Sequence, residues 1–374
     1  MNLFQHAVHF VLVFALVIGM PVSAAAQTPN GVQVLVQGLE HPWGLAFIDG
    51  GRMLVTERPG RVRVVESGGQ VSAPLQGVPA VDDGGQGGML DVVADAQFAQ
   101  NRTVYLCYAE PATQGVGNST AVARARLSVD RARLEQVQVI FSQKPKVSSR
   151  LHFGCRMVQS PSGDLYIALG DRFGRMQDAQ TLNNHHGKVV RIRPDGSVPA
   201  DNPFVNTPGA LPEIWSLGHR NAQGASWGLN NQLWVHEHGP RGGDEVNIVQ
   251  AGRNYGWPVI SYGRNYSGTR VGEGITHREG MEQPLWHWTP SIAPSGMAWV
   301  TSDRYGPQWK GSLLVGALKG RQLVRLSWDG QRLQPVQTLL QDWEQRIRDV
   351  RQGPDGWIYL LTDDSRGQLV RLLP

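Results

Sequence analysis

Cysteine is scarce in this 374-residue sequence, blocks of like charge are missing, and no apolar run is long enough to span a membrane. Cys107 and Cys155 are too few for a disulfide-built small scaffold or a four-thiolate zinc site. Thirty-five Lys and Arg against 31 Asp and Glu leave a net charge of +4. The basic residues are scattered, so the excess gives weak support for an anionic partner and little for nucleic acid. Helical periodicity is absent beyond the N-terminal segment, which excludes a helix bundle.

The N-terminal segment carries the strongest apolar run, "FVLVFALVIGM" (10–20). Pro21 ends it, and "VSAAA" then offers small residues at the −3 and −1 positions of a cleavage site. The run is too short and wrongly flanked for a membrane span, so residues 1–26 are expected to be a secretory signal peptide. The n-region has neither Lys nor Arg, which keeps an uncleaved anchor as the alternative. Two cysteines in an exported chain could pair. The expectation is nevertheless two buried thiols, because strand geometry often forbids the bridge.

Glycine and proline are plentiful, at 45 and 23, as in a fold dominated by turns. "PSGDLYIALGD" (161–171) and "PDGWIYLLTDD" (354–364) match in Pro, Gly, Tyr and Asp at equal offsets. Each reads as a turn, an alternating strand and another turn. A following strand recurs in "GKVVRIRPDG" (187–196), "RQLVRLSWDG" (321–330) and "GQLVRLLP" (367–374). "WGLAF" (43–47), "GASWG" (224–228) and "SGMAWV" (295–300) read as strands that open such units. The pattern predicts an all-β six-bladed β-propeller of four-stranded antiparallel blades over residues 27–374. Its last blade is expected to borrow a strand from the mature N-terminus. Long insertions between strands gather on one face of such a fold, where a site is built.

Three groups of residues could do chemistry. His152 opens a strand between Arg150 and Arg156, and Asp171 ends the same hairpin. A carboxylate that fixes the imidazole tautomer would make His152 a general base; a packed structural histidine is the bland alternative, and the two arginines are expected to be structural or surface groups. "GHRNAQG" (218–224) places His219, Arg220 and Asn221 before another strand. "HEHGPRGGDEVN" (236–247) combines glycines, exposed carbonyls, Asp244 and Glu245, which suit a hard cation as well as they suit a plain loop. His236 and His238 alternate along a strand, against a zinc pair. "NNHHGK" (183–188) reads as a polar turn. Lys319, Arg346 and Arg348 form the third group. Arg346 and Arg348 share a strand face, which gives either an anion clamp or a solvated edge paired with Glu344 and Asp349.

Taken in order, "HPWGLAF", "GGQGGMLDV", "HFGCRMV", "GDLYIALGDR", "GHRNAQG", "EHGPRGGDEVN", "GRNYGWP", "PSIAPSG", "ALKG" and "RIRDV" resemble the soluble quinoprotein sugar dehydrogenases, and most closely their aldose sugar dehydrogenase branch. The resemblance covers nearly all of the mature chain. It implies a propeller that binds pyrroloquinoline quinone (PQQ) and Ca²⁺ on one face and oxidises an aldose at C1 to the lactone for an external electron acceptor. His152 would be the base, Asp171 its orienter, and Arg220 a stabiliser of growing negative charge. Gln86, Arg220, Asn221, Tyr266, Lys319, Arg346 and Arg348 would contact PQQ. The Gly239 and Pro240 carbonyls would hold the Ca²⁺ that bridges to it, and Glu245 and Tyr255 a second Ca²⁺. A periplasmic or secreted monomer or homodimer, with no nucleic acid and no membrane span in the mature chain, is the corresponding expectation. Cys155 and His238 depart from the pattern. The rival readings are a Ca²⁺-dependent lactonase on a similar propeller, which would have no use for the basic group, and a non-catalytic glycan-binding propeller.

Overall fold

The computed structural model describes residues 31–374; the expected signal segment lies outside the described residues. A first strand, β1 (Val32–Leu39), precedes five blades built in chain order. They are β2 (Pro42–Phe47), β3 (Met53–Glu57) and β4 (Arg61–Val65); β5 (Met89–Ala94), β6 (Thr103–Pro111), β7 (Asn118–Leu127) and β8 (Leu134–Ser142); β9 (Gly154–Gln159), β10 (Leu165–Leu169), β11 (Lys188–Ile192) and β12 (Ile214–Leu217); β13 (Ala222–Trp227), β14 (Leu233–Glu237), β15 (Asp244–Val249) and β16 (Trp286–Trp288); and β17 (Pro294–Trp299), β18 (Leu313–Ala317), β19 (Gln322–Trp328) and β20 (Leu333–Leu339). The sixth is β21 (Ile347–Gln352), β22 (Ile358–Thr362) and β23 (Gly367–Leu372), completed by β1, which pairs antiparallel with β23. The expected borrowing of an N-terminal strand is therefore observed. It closes the ring non-locally, so neither end can fray alone.

The first blade has three strands where four were expected, with the single bridge Val65–Val71 in place of the fourth. The chain there, "ESGGQVSAPLQGVP", is rich in Gly, Ser and Pro and cannot sustain a ladder. The repeated signature has a local cause. Gly163 and Gly356 sit at φ +94° and +81° in matching turns, which an L side chain disfavours. The repeated tyrosines wedge between neighbouring blades: Tyr166 meets Trp227 and Tyr359 meets Phe47, with centroids 5.4 and 5.1 Å apart.

The inner strands β2, β5, β9, β13, β17 and β21 pack successively around the axis, β21 returning to β2. Four charged side chains fill the centre. Arg156 Nη1 lies 3.0 Å from Asp91 Oδ1 and 3.1 Å from Asp349 Oδ1. Arg351 closes the set on the same two carboxylates at 3.0 Å each. Main-chain N–H groups of Met157 and Leu45 donate to Asp91 and Asp349, and Arg156 Nε donates to the Gln223 carbonyl. Inner strands of five blades are thus tied together. Arg156, expected to be structural or surface, is a buried structural residue at the axis.

Cys107 and Cys155 form a disulfide with Cα atoms 5.7 Å apart, which corrects the expectation of two free thiols. The reason is backbone geometry. Gly154 and Cys155 adopt φ +67° and +78°, and β9 bulges against β10 between Ala168 and Leu169. That bulge turns Cys155 toward β6 in the preceding blade, where a regular strand would carry it past. Replacing both residues by Ser should cost about 2–4 kcal/mol in denaturant unfolding. Unreduced, denatured protein should show no free thiol; two free thiols would remove the bridge.

Candidate active site

Every inner strand starts on the same face of the ring, and those starts converge on a cleft of about 280 Å³. Within these starts or one residue before them lie Trp43 at β2, Leu90 at β5, Phe153 and Gly154 at β9, Asn221 and Gln223 at β13, Ala293 at β17, and Arg346 and Arg348 at β21. The ends of second strands add Arg58, His238, Leu318 and Asp363, and Gln86 arrives on the loop before β5. The wall is therefore flat and apolar in part, with cationic and amide groups at its edges.

His152 stands beside Phe153 at this mouth and is buried. Its Nδ1 lies 2.6 Å from Asp171 Oδ1. Asp171 also accepts from Trp257 Nε1 and from the Phe173 N–H, both at 2.8 Å. Burial alone would raise the Asp171 carboxyl, but its bond to His152, with Arg220 nearby, outweighs that and holds it below its ordinary value. Burial, reinforced by the charges of Arg220 and Arg172, pushes His152 below its ordinary value against the pull of Asp171. The imidazole is then neutral. With Nδ1–H donated to Asp171, Nε2 keeps a free lone pair, and no described group bonds to it.

This placement is held by several contacts. His152 has φ +51°, a left-handed conformation that costs a non-glycine residue about 1–3 kcal/mol. Its N–H donates to Gln86 Oε1 at 2.8 Å, and the Gln86 N–H donates to the Arg150 carbonyl. A Cβ on Gly170 would collide with the His152 carbonyl, so glycine must precede Asp171.

Arg220 is buried, with Nη1 on the carbonyls of His238 and Gly239 at 3.0 and 2.8 Å, and its N–H on Glu237. Asn221 Oδ1 accepts from the Gly154 N–H at 3.2 Å, which turns its amide NH₂ free of that bond. Arg346 and Arg348 do share a face, yet their partner is Asp363, at 3.0 Å from each, rather than Glu344 or Asp349. Burial would raise the Asp363 carboxyl; Arg348 and Arg346 reverse this and hold it far below the carboxylate range. Arg348 Nη1 also donates to Gln223 Oε1 at 3.1 Å.

The loop 238–243 forms a second, smaller recess with Glu237, Glu245, Tyr255 and Trp257. Glu245 is half-buried near Glu237, and desolvation, with that second carboxylate, raises it well above its ordinary value. Its recorded hydrogen bond is a long one, 3.4 Å to Asn247. No described group donates to the Pro240 carbonyl, and Gly239 gives its carbonyl to Arg220. The Tyr255 hydroxyl is used on both sides, by the Ile248 carbonyl and the Gln250 N–H. A contact from Tyr255 to a cation would come from its main chain. Among the described residues no three of His, Cys, Asp and Glu cluster as a metal site.

Of the residues expected at the site, His152 and Asp171 are buried behind the cleft lining, Arg220 lines the smaller recess, and Lys319 and Tyr266 line neither. Lys319 is exposed, and its neighbour Leu318 lines the cleft instead. Tyr266 is 63% exposed on the 264–270 hairpin. His236 is fully buried while His238 lines the cleft, as their alternation predicts. The "NNHHGK" stretch is more than a polar turn. His185 and His186 are fully buried and pair with Glu213 and Asp178. Asp363, Arg58, Trp43, Gln223 and Trp257 were not anticipated as site residues. For Asp363 a signal was available, because it directly precedes the residue that the repeat aligns with Asp171.

The glucose/sorbosone dehydrogenase family model matches residues 39–371. Aldose sugar dehydrogenase YliI of Escherichia coli is 45% identical over 99% of this chain and 100% of its own length. The crystal structure of the soluble aldose sugar dehydrogenase of E. coli in its apo form superposes with a TM-score of 0.88 at 46% identity, over 92% of this chain and 99% of that one. The PQQ-bound aldose sugar dehydrogenase of Streptomyces coelicolor does so at 0.73 and 27%, over 92% and 98%. With its six blades, its axial cleft and a match that spans all of them, this chain belongs to the glucose/sorbosone dehydrogenase family.

Proposed function

We propose that this protein is a PQQ- and Ca²⁺-dependent dehydrogenase that oxidises aldoses at C1 to the lactone and passes the electrons to an external acceptor. The observation that carries the reading is the His152 imidazole, bonded through Nδ1 to Asp171 beside a cleft edged with arginines. A lactonase or a glycan-binding propeller would leave the Arg346–Asp363–Arg348 group without a use. Export belongs to the reading, since the signal-like segment and the disulfide both fit an oxidising compartment. No helix of the described residues is long and apolar enough to cross a membrane.

The residues fit both groups. Nε of Arg348, at the cleft, and of Arg220, at the adjoining recess, are buried without partners, as donors kept for an anionic ligand edge would be. Trp43, Leu90 and Phe153 offer an apolar wall to a flat ring system. Arg346, Arg348, Asn221, Gln86 and Arg220 would hold PQQ, with Lys319 and Tyr266 reaching it from outside the lining. The Gly239 and Pro240 carbonyls would hold one Ca²⁺, and Glu245 with the Tyr255 main chain another, because a hard cation would satisfy a desolvated carboxylate and an orphan carbonyl. When bound, PQQ supplies two-electron redox capacity and Ca²⁺ supplies Lewis acidity.

The chain's own residues do the rest. His152 Nε2 takes the proton of the anomeric hydroxyl as the C1–H bond is broken. Asp171 keeps the ring in the tautomer that leaves Nε2 free and steadies the imidazolium that results. Arg220, fixed on two carbonyls, puts positive charge where negative charge grows. Trp43, Leu90 and Phe153 restrict water at the cleft.

Glucose-dependent dye reduction should require PQQ and Ca²⁺; equal turnover without PQQ would reject the reading. His152→Ala should titrate with PQQ almost as wild type does but lose about 10²–10⁴-fold in kcat. An unchanged rate of bound-quinone reduction in stopped flow would put the base elsewhere. The active form of His152 is neutral, and its pKa is pushed down. The acid limb of kcat/KM should therefore fall below pH 6.5, activity being lost as pH drops through that depressed value. A limb above pH 6.5 would contradict the assignment. Arg348→Ala should weaken PQQ binding about ten- to hundredfold, from loss of one charge-assisted contact. An unchanged titration would take Arg348 out of the site.

A further inference from the structure

We propose that Arg241, Arg264 and Arg270 form a docking ladder for the electron acceptor, and that this acceptor is a one-electron metalloprotein with an acidic surface. The inference rests on the sugar-oxidising function proposed above.

Three short segments meet in this ladder. Arg241 bridges antiparallel to Arg264, and Arg264 bridges antiparallel to Arg270. The Arg241 N–H donates to the Arg264 carbonyl at 2.9 Å and the reverse bond is 3.4 Å. Directly opposed residues in antiparallel pairs project to the same face, so the three guanidinium stems stand side by side. All three residues are exposed. Among the described residues none of the three guanidinium groups has a hydrogen bond or an ion pair. Of the acidic groups near the ladder in sequence, Glu273 pairs with Arg278 and Glu282 with Arg253, and neither Glu245 nor Glu279 pairs with the ladder. Both oxygens of Asp244 are taken by N–H and hydroxyl donors.

Like charges directly opposite each other destabilise a sheet. Here the penalty occurs twice in succession and no internal contact offsets it. Packing does not explain the choice, because residues this exposed could equally be Thr or Gln. An outside partner does. Opposed Cα atoms lie about 4.5–5.5 Å apart, so three arginines spread over roughly 10 Å. That is wider than one carboxylate or phosphate and suits several carboxylates on a protein surface. A small anion would need a pocket, and these arginines line none of the described pockets.

The location links the ladder to electron transfer. Arg241 follows Pro240 directly, in the loop whose His238 lines the cleft and whose Gly239 holds Arg220. The ladder therefore lies on the cleft face. Oxidising one aldose to its lactone releases two electrons and two protons. Two one-electron carriers are reduced in turn, and both protons go to solvent. A carrier held beside the cleft mouth by long-range attraction meets both electrons there.

The test uses holoenzyme and a charge-switched pair of probes, native cytochrome c (basic) and succinylated cytochrome c (acidic). Arg241→Gln, Arg264→Gln and Arg270→Gln are combined. At low ionic strength wild type should bind ferric succinylated cytochrome c about tenfold more tightly than the triple variant does. It should also reduce that probe faster than native cytochrome c, and the preference should vanish at about 0.3 M salt. Glucose–dye turnover should be equal in both proteins. Binding is measured without sugar, so it judges the ladder even if dye turnover were absent, which would reject the sugar-oxidising function instead. Equal binding by the two proteins overturns the proposal. So does a parallel loss of dye turnover, or a variant that loses only its affinity for vesicles of anionic lipid.

Discussion

Two aspartates and two arginines at the propeller axis, Asp91, Asp349, Arg156 and Arg351, set the frame in which everything above them works. Burying such charges singly would cost several kcal/mol each. They are tolerable as a closed set, because each carboxylate meets two guanidinium groups and at least one main-chain N–H. Asp91, Arg156 and Asp349 each sit two residues inside the starts of β5, β9 and β21, and Arg351 lies two residues further along β21. Those same starts carry Leu90, Gly154 and Arg348 into the cleft. The lattice therefore fixes the spacing of the cleft walls as well as the ring. Removing one partner would leave an uncompensated charge directly beneath the site.

Above this frame the protein stores strain where it needs a reactive group. His152, Gly154 and Cys155 all lie at positive φ within four residues. Such a bend persists only when its surroundings over-determine it. Here Gln86 holds the His152 N–H, Asp171 holds the ring, and the disulfide anchors Cys155 to the neighbouring blade. The same burial that costs His152 its solvation lowers its pKa. The neutral base and the rigid bend thus have one cause, a histidine tucked under the cleft rim.

What could be read in the sequence was local. The Pro–Gly–Tyr–Asp signature is turn chemistry plus a blade-wedging tyrosine, and it reports the propeller without any long-range contact. The shared face of Arg346 and Arg348 follows from strand alternation. The His152–Asp171 pairing follows from a hairpin that must return its end to its beginning. The misses needed distance or dihedral angle. Asp363 is an acidic residue in a turn until the β21–β22 hairpin sets it beside the two arginines. Arg156 reads as a structural or surface group, and which of the two it is shows only when Asp91 and Asp349 meet it at the axis. The pairing of Cys155 depended on a bulge that residue identities do not announce. His185 and His186 looked like a solvated turn and are buried. Lys319 came from the basic group and Tyr266 from family resemblance, and both residues lie exposed outside the cleft lining.

The central claim is that a neutral His152, protonated at Nδ1 and bare at Nε2, waits beside the cleft. Nitrogen-15 NMR of the imidazoles, with His152 assigned by its absence from the His152→Ala spectrum, measures this directly. The account predicts the Nδ1–H tautomer at pH 7 and a titration midpoint below 6.5. An imidazolium at pH 7, or a proton on Nε2, would contradict it.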